Sequence, residues 1–165
     1  MTAAPTLYWE DFEKGSVAEY GPRLVTRDEI VAFAAEFDPQ PFHLDEDAAR
    51  ASMFGGLVAS GWHSCSLLMR IIADGFVVNS SSMGSPGVDE VKWLAPVRPG
   101  DRLNVRATVL ETRASRSRPE MGLVNFLFEM FNQTGVPVMK LTTTSMFGRH
   151  PQGVAQAAVA RAEAT

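Results

Sequence analysis

Residues 60–76, SGWHSCSLLMRIIADGF, decide how the rest of the chain is read. Ser60 is a candidate N-cap and Gly75 a candidate stop, so a helix over residues 61–73 is expected. Its apolar side chains, Trp62, Cys65, Leu68, Met69 and Ile72 among them, run nearly all round rather than along one stripe. A helix of that kind is usually central and buried, and it needs a covering layer.

The second half of the chain supplies one. In DRLNVRATVLET, from Asp101, Leu103, Val105, Ala107 and Val109 alternate with Arg102, Asn104, Arg106 and Thr108, the period of a half-buried strand. VDEVKWLAPV, from Val88, gives another strand. LVNFLFEMFNQTGVPVMKLTTTSMF, from Leu123, reads as two strands joined by a hairpin near NQTG, residues 132–135. With SVAEYGPRLVT, from Ser16, as an early strand, the order is strand, helices, then mostly antiparallel strands. That is an α+β layout in which a sheet can wrap a helix.

The chain has 165 residues, enough for one domain with a core of its own, expected over residues 1–150; the Ala-rich tail, 151–165, reads as a frayed helix or as disordered. Hydrophobic residues make up 45%, charged residues 21%, and the net charge is −4, which favours neither disorder nor a nucleic-acid partner. The lone cysteine, Cys65, reads as a small core residue; it has no partner for a bridge and no neighbours at metal spacing, which argues against structural zinc and fits a reducing compartment. The start, MTAAPTLYWEDFEKG, lacks the basic and apolar regions of a signal peptide, and no apolar run has the length of a membrane span. A cytoplasmic protein with no membrane partner is expected. There is no P-loop and no G-x-G-x-x-G, so nucleotide chemistry loses its support.

Upstream of the main helix, TRDEIVAFAAEF places Thr26 and Glu29 at capping-box spacing, and a helix over residues 27–36 is expected to end ahead of Pro39. FDPQPFHLDEDAA, residues 37–49, then sets an acid, Asp38, five positions before a histidine, His43, with Pro39 and Pro41 between them. Fully extended, that stretch spans up to roughly 17 Å, too far for two groups to share one water, so it must bend to be useful. The prolines reduce the entropy lost in holding the bend. Asp45 has a simpler role as the cap of a second short helix.

The string Asp38-Pro39-Gln40-Pro41-Phe42-His43-Leu44-Asp45, with the glycine-containing FGGLVASGWH and the elements that follow, resembles the MaoC-like dehydratase family, which includes the (R)-specific enoyl-CoA hydratases. The family pattern is broadly Asp-x-Asn-Pro-x-His-x-Asp; Gln40 stands where Asn is common. The resemblance implies a hot-dog fold, an antiparallel sheet wrapped around a long central helix, assembled as a homodimer or a dimer of dimers. It also implies an acyl-CoA substrate and a hydro-lyase reaction without metal or redox cofactor. Asp38 and His43 would be the acid/base pair and the Gly61 amide the donor to the thioester carbonyl.

Hydration of a 2-enoyl thioester needs removal of a proton from water, delivery of one to the α-carbon and stabilisation of an enolate oxygen. A helix N-terminus can supply the last. Around Gly61, Ser60 could cap the helix or bond a catalytic side chain, and Trp62 and His63 could line a substrate pocket, with packing as the plainer role for His63. The basic stretch RASRSRPEMG, from Arg113, could meet coenzyme A phosphates but reads first as a solvated segment. A hot-dog thioesterase and a catalytically silent acyl-CoA-binding module are the rival functions.

Overall fold

Alternating side chains need two environments, and a sheet with one covered face provides them. In this computed structural model, which describes residues 4–154, five strands form one antiparallel sheet. They are β1 (Val17–Leu24), β2 (Val88–Trp93), β3 (Arg102–Ala114), β4 (Met121–Phe131) and β5 (Pro137–Gly148), in the spatial order β1-β3-β4-β5-β2. On β3 the expected apolar face is the core face: Leu103 and Val105 are fully buried and Ala107 and Val109 nearly so. The β4–β5 connection is the expected hairpin, closed by the Asn132 and Val136 backbones, with Gly135 at φ +78° where a side chain would be strained.

The helices are α1 (Arg27–Phe37), α2 (Pro41–Leu44), α3 (Glu46–Ala51) and α4 (Gly61–Gly75). The capping box opens α1 as its spacing predicts: Thr26 Oγ1 accepts from the Glu29 amide at 3.2 Å, and Glu29 Oε1 accepts from the Thr26 amide at 3.1 Å. Asp45 caps α3 by accepting from the Ala48 amide at 2.7 Å. Among the described residues, no helix is long and apolar enough to cross a membrane.

Helix α4 lays Leu67, Leu68, Ile71 and Ile72 against the core, each side chain contributing about 1.5–3 kcal/mol by burial. Two expectations for it are corrected. It is not buried all round within this chain, since Trp62 is 63% and Met69 47% exposed; the apolar residues form two stripes, and one faces outward. Gly75 does not stop the helix by turning left-handed. It is still helical, the chain leaves the helix at Phe76, and a Cβ at Gly75 would overlap the Tyr20 ring of β1. Close approach of helix to strand is what requires the glycine.

A sheet of this order holding one long helix is the hot-dog arrangement, an α+β fold. One turn, residues 97–101, pins the stretches that lead into α1 and α4. The Asp101 side chain accepts from the Arg98 amide at 2.8 Å and from Gln133 Nε2 at 3.2 Å. The Asp101 carbonyl accepts from the Val25 amide just ahead of α1, and the Val97 carbonyl from the Ala59 amide just ahead of α4, both at 2.8 Å. At the far end, residues 151–154 make a helical turn on His150, and the rest of the Ala-rich tail lies outside the described residues.

Candidate active site

Asp38 is the last residue that the backbone of α1 can hold. Its amide still donates to the Ala34 carbonyl at 3.0 Å, but Pro39 follows, and helical geometry at the residue before a proline is disfavoured. The chain turns at once, with the Gln40 amide on the Asp38 carbonyl at 2.7 Å. Pro41 then opens α2, a place where a fixed φ and a missing N–H cost nothing. The expected bend is therefore built partly from one helical turn. That turn carries His43 back to Asp38, and His43 Nε2 lies 3.5 Å from Asp38 Oδ2.

The ring and the carboxylate are both held in orientation. His43 Nδ1 lies 2.7 Å from the Val58 carbonyl, which can only accept, so Nδ1 carries the hydrogen. In the neutral ring, Nε2 then presents a lone pair toward Asp38. Asp38 Oδ2 accepts from Ser60 Oγ at 2.5 Å, and Oδ1 accepts from Gln40 Nε2 at 2.8 Å. These two donors, Ser60 the stronger, prevail over partial desolvation and hold the Asp38 carboxyl below the usual carboxylate range, with a smaller contribution from His43. The Asp38 side chain is 19% exposed and that of His43 6%, so the pair sits at the floor of its opening rather than on the surface.

Ser60 has two roles at once. While donating to Asp38, its Oγ accepts from the Trp62 amide at 3.2 Å and caps α4. Of the first-turn amides of α4, Trp62's is thereby taken, whereas Gly61's finds no acceptor among the described residues. Gly61 is covered by Trp93 of β2: Trp93 Nε1 donates to the Gly61 carbonyl at 2.9 Å, and a Cβ at Gly61 would stand 2.6 Å from Trp93 Cε2.

Asp38, His43, Ser60, Gly61, Trp62 and Trp93 all border one cleft of about 650 Å³. Ser60 is fully buried, and its hydroxyl is used by Asp38 and the helix. His63 is not brought to the cleft. Its ring stacks on Phe33 of α1, centroids 4.6 Å apart and planes 8° from parallel, and burial pushes its pKa down against the pull of Glu29. No residue of the 113–120 segment borders the cleft either. Cys65 is part-buried beside Met139, and burial pushes its thiol pKa up. Among the described residues, no three side chains of metal-ligating type converge.

Some contributors carry no signal that single-sequence reading could use. The Val58 carbonyl, which sets the His43 tautomer, is a backbone atom. Trp93 and Arg98 reach the cleft from β2 and the turn after it.

A carboxylate and an imidazole thus face one cleft, beside the first turn of a helix that an antiparallel sheet wraps, on a hot-dog fold. The chain belongs to the MaoC-like domain family, which residues 12–125 match. It is similar to the uncharacterized protein YdeM of Bacillus subtilis, 31% identical over 132 residues that make up 79% of this chain and 92% of the relative. It is also similar to a 3-hydroxybutyryl-CoA dehydratase of Methylorubrum extorquens, 28% identical over 120 residues, 70% of this chain and 71% of that one. Among solved structures, a MaoC-like dehydratase from Rhodospirillum rubrum superposes with a TM-score of 0.81 at 41% identity, covering 88% of this chain and 99% of the other.

Proposed function

We propose that this chain is a hydro-lyase that reversibly adds water to a 2-enoyl-CoA to give an (R)-3-hydroxyacyl-CoA, with no metal or redox cofactor. The observation that carries the reading is the pair at 3.5 Å, His43 Nε2 and Asp38 Oδ2, with the His43 tautomer fixed by Val58 so that both atoms face each other as acceptors. A water molecule has two hydrogens to give, and such a pair orients both. Its oxygen is then left free to attack the β-carbon of an enoyl thioester. One water proton passes to the pair, the C–O bond forms, and the C=C electrons move toward the thioester oxygen. The pair returns a proton to the α-carbon, so that H and OH have been added and nothing is left over. The Gly61 amide is the donor assigned to the developing enolate oxygen. Dehydration is the reverse.

Membership of a family with dehydratase-named relatives supports the reaction class. The same reading has the chain working as a homodimer or a dimer of dimers, which light scattering tests.

The decisive experiment follows loss of the enoyl chromophore over a panel of 2-enoyl-CoA thioesters, with chiral analysis of the product and a thiol reagent in parallel. Hydration without thiol release is expected, and Asp38→Asn and His43→Ala are each expected to lower turnover by about 10²–10⁴-fold while the fold is kept. Thiol release would instead assign a thioesterase. Undiminished hydration by both variants would reject the assignment of the pair.

A further inference from the structure

We propose that Gln40 is a positioning residue that ties the acid to the imidazole: its side-chain amide holds Asp38 while its backbone carbonyl holds the turn bearing His43. The inference rests on the acid/base reading of that pair. The geometry behind it is direct. Gln40 Nε2 donates to Asp38 Oδ1 at 2.8 Å, and the Gln40 carbonyl accepts from the His43 amide at 2.9 Å. One residue therefore touches both members of the pair.

A carboxylate held at a single oxygen can still rotate about its Cβ–Cγ bond, and rotation would carry Oδ2 away from His43 Nε2. Ser60 holds Oδ2 from the side of α4, and Gln40 holds Oδ1 from the side of α2. Two donors from two directions lock the plane. Gln40 stands where Asn is common in the family pattern, one methylene longer, and its amide reaches Asp38 Oδ1.

The two prolines gain a specific purpose in this account. Gln40 is the residue flanked by both; Pro41 confines its backbone to extended geometry, found at φ −79° and ψ 138°. A long side chain on an exposed loop loses much entropy when it is fixed, and an anchored Cα reduces the part of that loss due to the backbone. His43 is the titratable neighbour that acts on Asp38, and the other two partners, Ser60 and Gln40, are uncharged. Removing the Gln40 amide therefore changes orientation and hydrogen bonding without deleting a charge.

The test is Gln40→Met, of similar length but with no donor, alongside Gln40→Glu, which sets a like charge against Asp38. The Asp38 carboxyl carbon is titrated by NMR in wild type and variants, and kcat and KM are followed against pH with a short enoyl-CoA. In both variants Asp38 is expected to titrate at higher pH, and the acid limb of kcat/KM to move up with it. In Gln40→Met, kcat falls on the order of tenfold with KM within about twofold, the pattern of a misoriented group rather than a lost ligand contact. An Asp38 titration that is unmoved in both variants overturns the inference, as does a raised KM with kcat intact. Should wild type hydrate no thioester, the proposed function fails, and the Asp38 titration still decides the Gln40 contact; should Gln40→Met not fold, Gln40→Glu carries the same comparison.

Discussion

Replacing Ser60 by Ala removes one oxygen and two hydrogen bonds. The bond to the Trp62 amide, at 3.2 Å, is the cap of α4, and losing a Ser cap typically costs about 1 kcal/mol. The bond to Asp38 Oδ2, at 2.5 Å, is made to an ionised acceptor, and such bonds contribute about 1.5–3 kcal/mol. The Asp38 side chain is 19% exposed, so water takes over part of that role and the lower half of the range applies. The sum is a destabilisation of about 2.5–3 kcal/mol at neutral pH, or roughly 5–12 °C in Tm for a domain of this size. Urea unfolding followed by circular dichroism measures it, and a cycle with Asp38→Asn isolates the coupling, expected at about 1 kcal/mol or more. Because the folded protein holds the Asp38 pKa below its unfolded value near 3.9, the Asp38 share of the difference is present above that pH and is lost as pH falls through the folded value. The cap share persists in acid. A Ser60→Ala protein within about 0.5 kcal/mol of wild type at pH 7, or a coupling of zero, would refute the account of Ser60 as a shared donor.

Gly61→Ala keeps the amide N–H but would place a Cβ 2.6 Å from the Trp93 ring; since Trp93 is half exposed, the ring swings outward, and the expected result is a folded protein with altered tryptophan emission and lower hydration, because the methyl and the displaced ring crowd that N–H. Wild-type turnover in that variant would remove Gly61 from the site. His63 binds a proton less readily folded than unfolded, so its contribution makes stability rise with pH from its lowered folded pKa up to about 6.5. Wild type should lose urea resistance from pH 7.5 to 5.5, and His63→Phe, which keeps a ring on Phe33, should flatten that loss; equal slopes in the two proteins would contradict the burial of His63 as its cause.

Where local rules govern, the chain announces its structure. Thr26 and Glu29 fix the start of α1, Pro39 its end, and the alternation from Leu103 to Val109 the core face of β3. The acid and histidine were legible because motif spacing and two prolines mark them. What stayed hidden depends on partners remote in sequence. Gly75 reads as a helix stop by its residue type, yet Tyr20 of another element decides its role. His63 stands in the helix turn that faces the cleft on one side and α1 on the other, and only the packing of Phe33 tells which side its ring takes. Ser60 could be read as cap or as catalytic partner from sequence, and the structure gives it both positions at once.

The turn at residues 97–101 pins the stretches ahead of α1 and α4, although both precede it by many residues. Pairings of that kind close large loops and come late when a chain folds. The segment up to α4 thus carries Asp38, His43 and Gly61 with their local contacts but lacks the turn that pins the stretches ahead of α1 and α4. The cleft is assembled from both halves of the chain, and a truncation ahead of residue 97 would leave the stretches before α1 and α4 without their backbone partners.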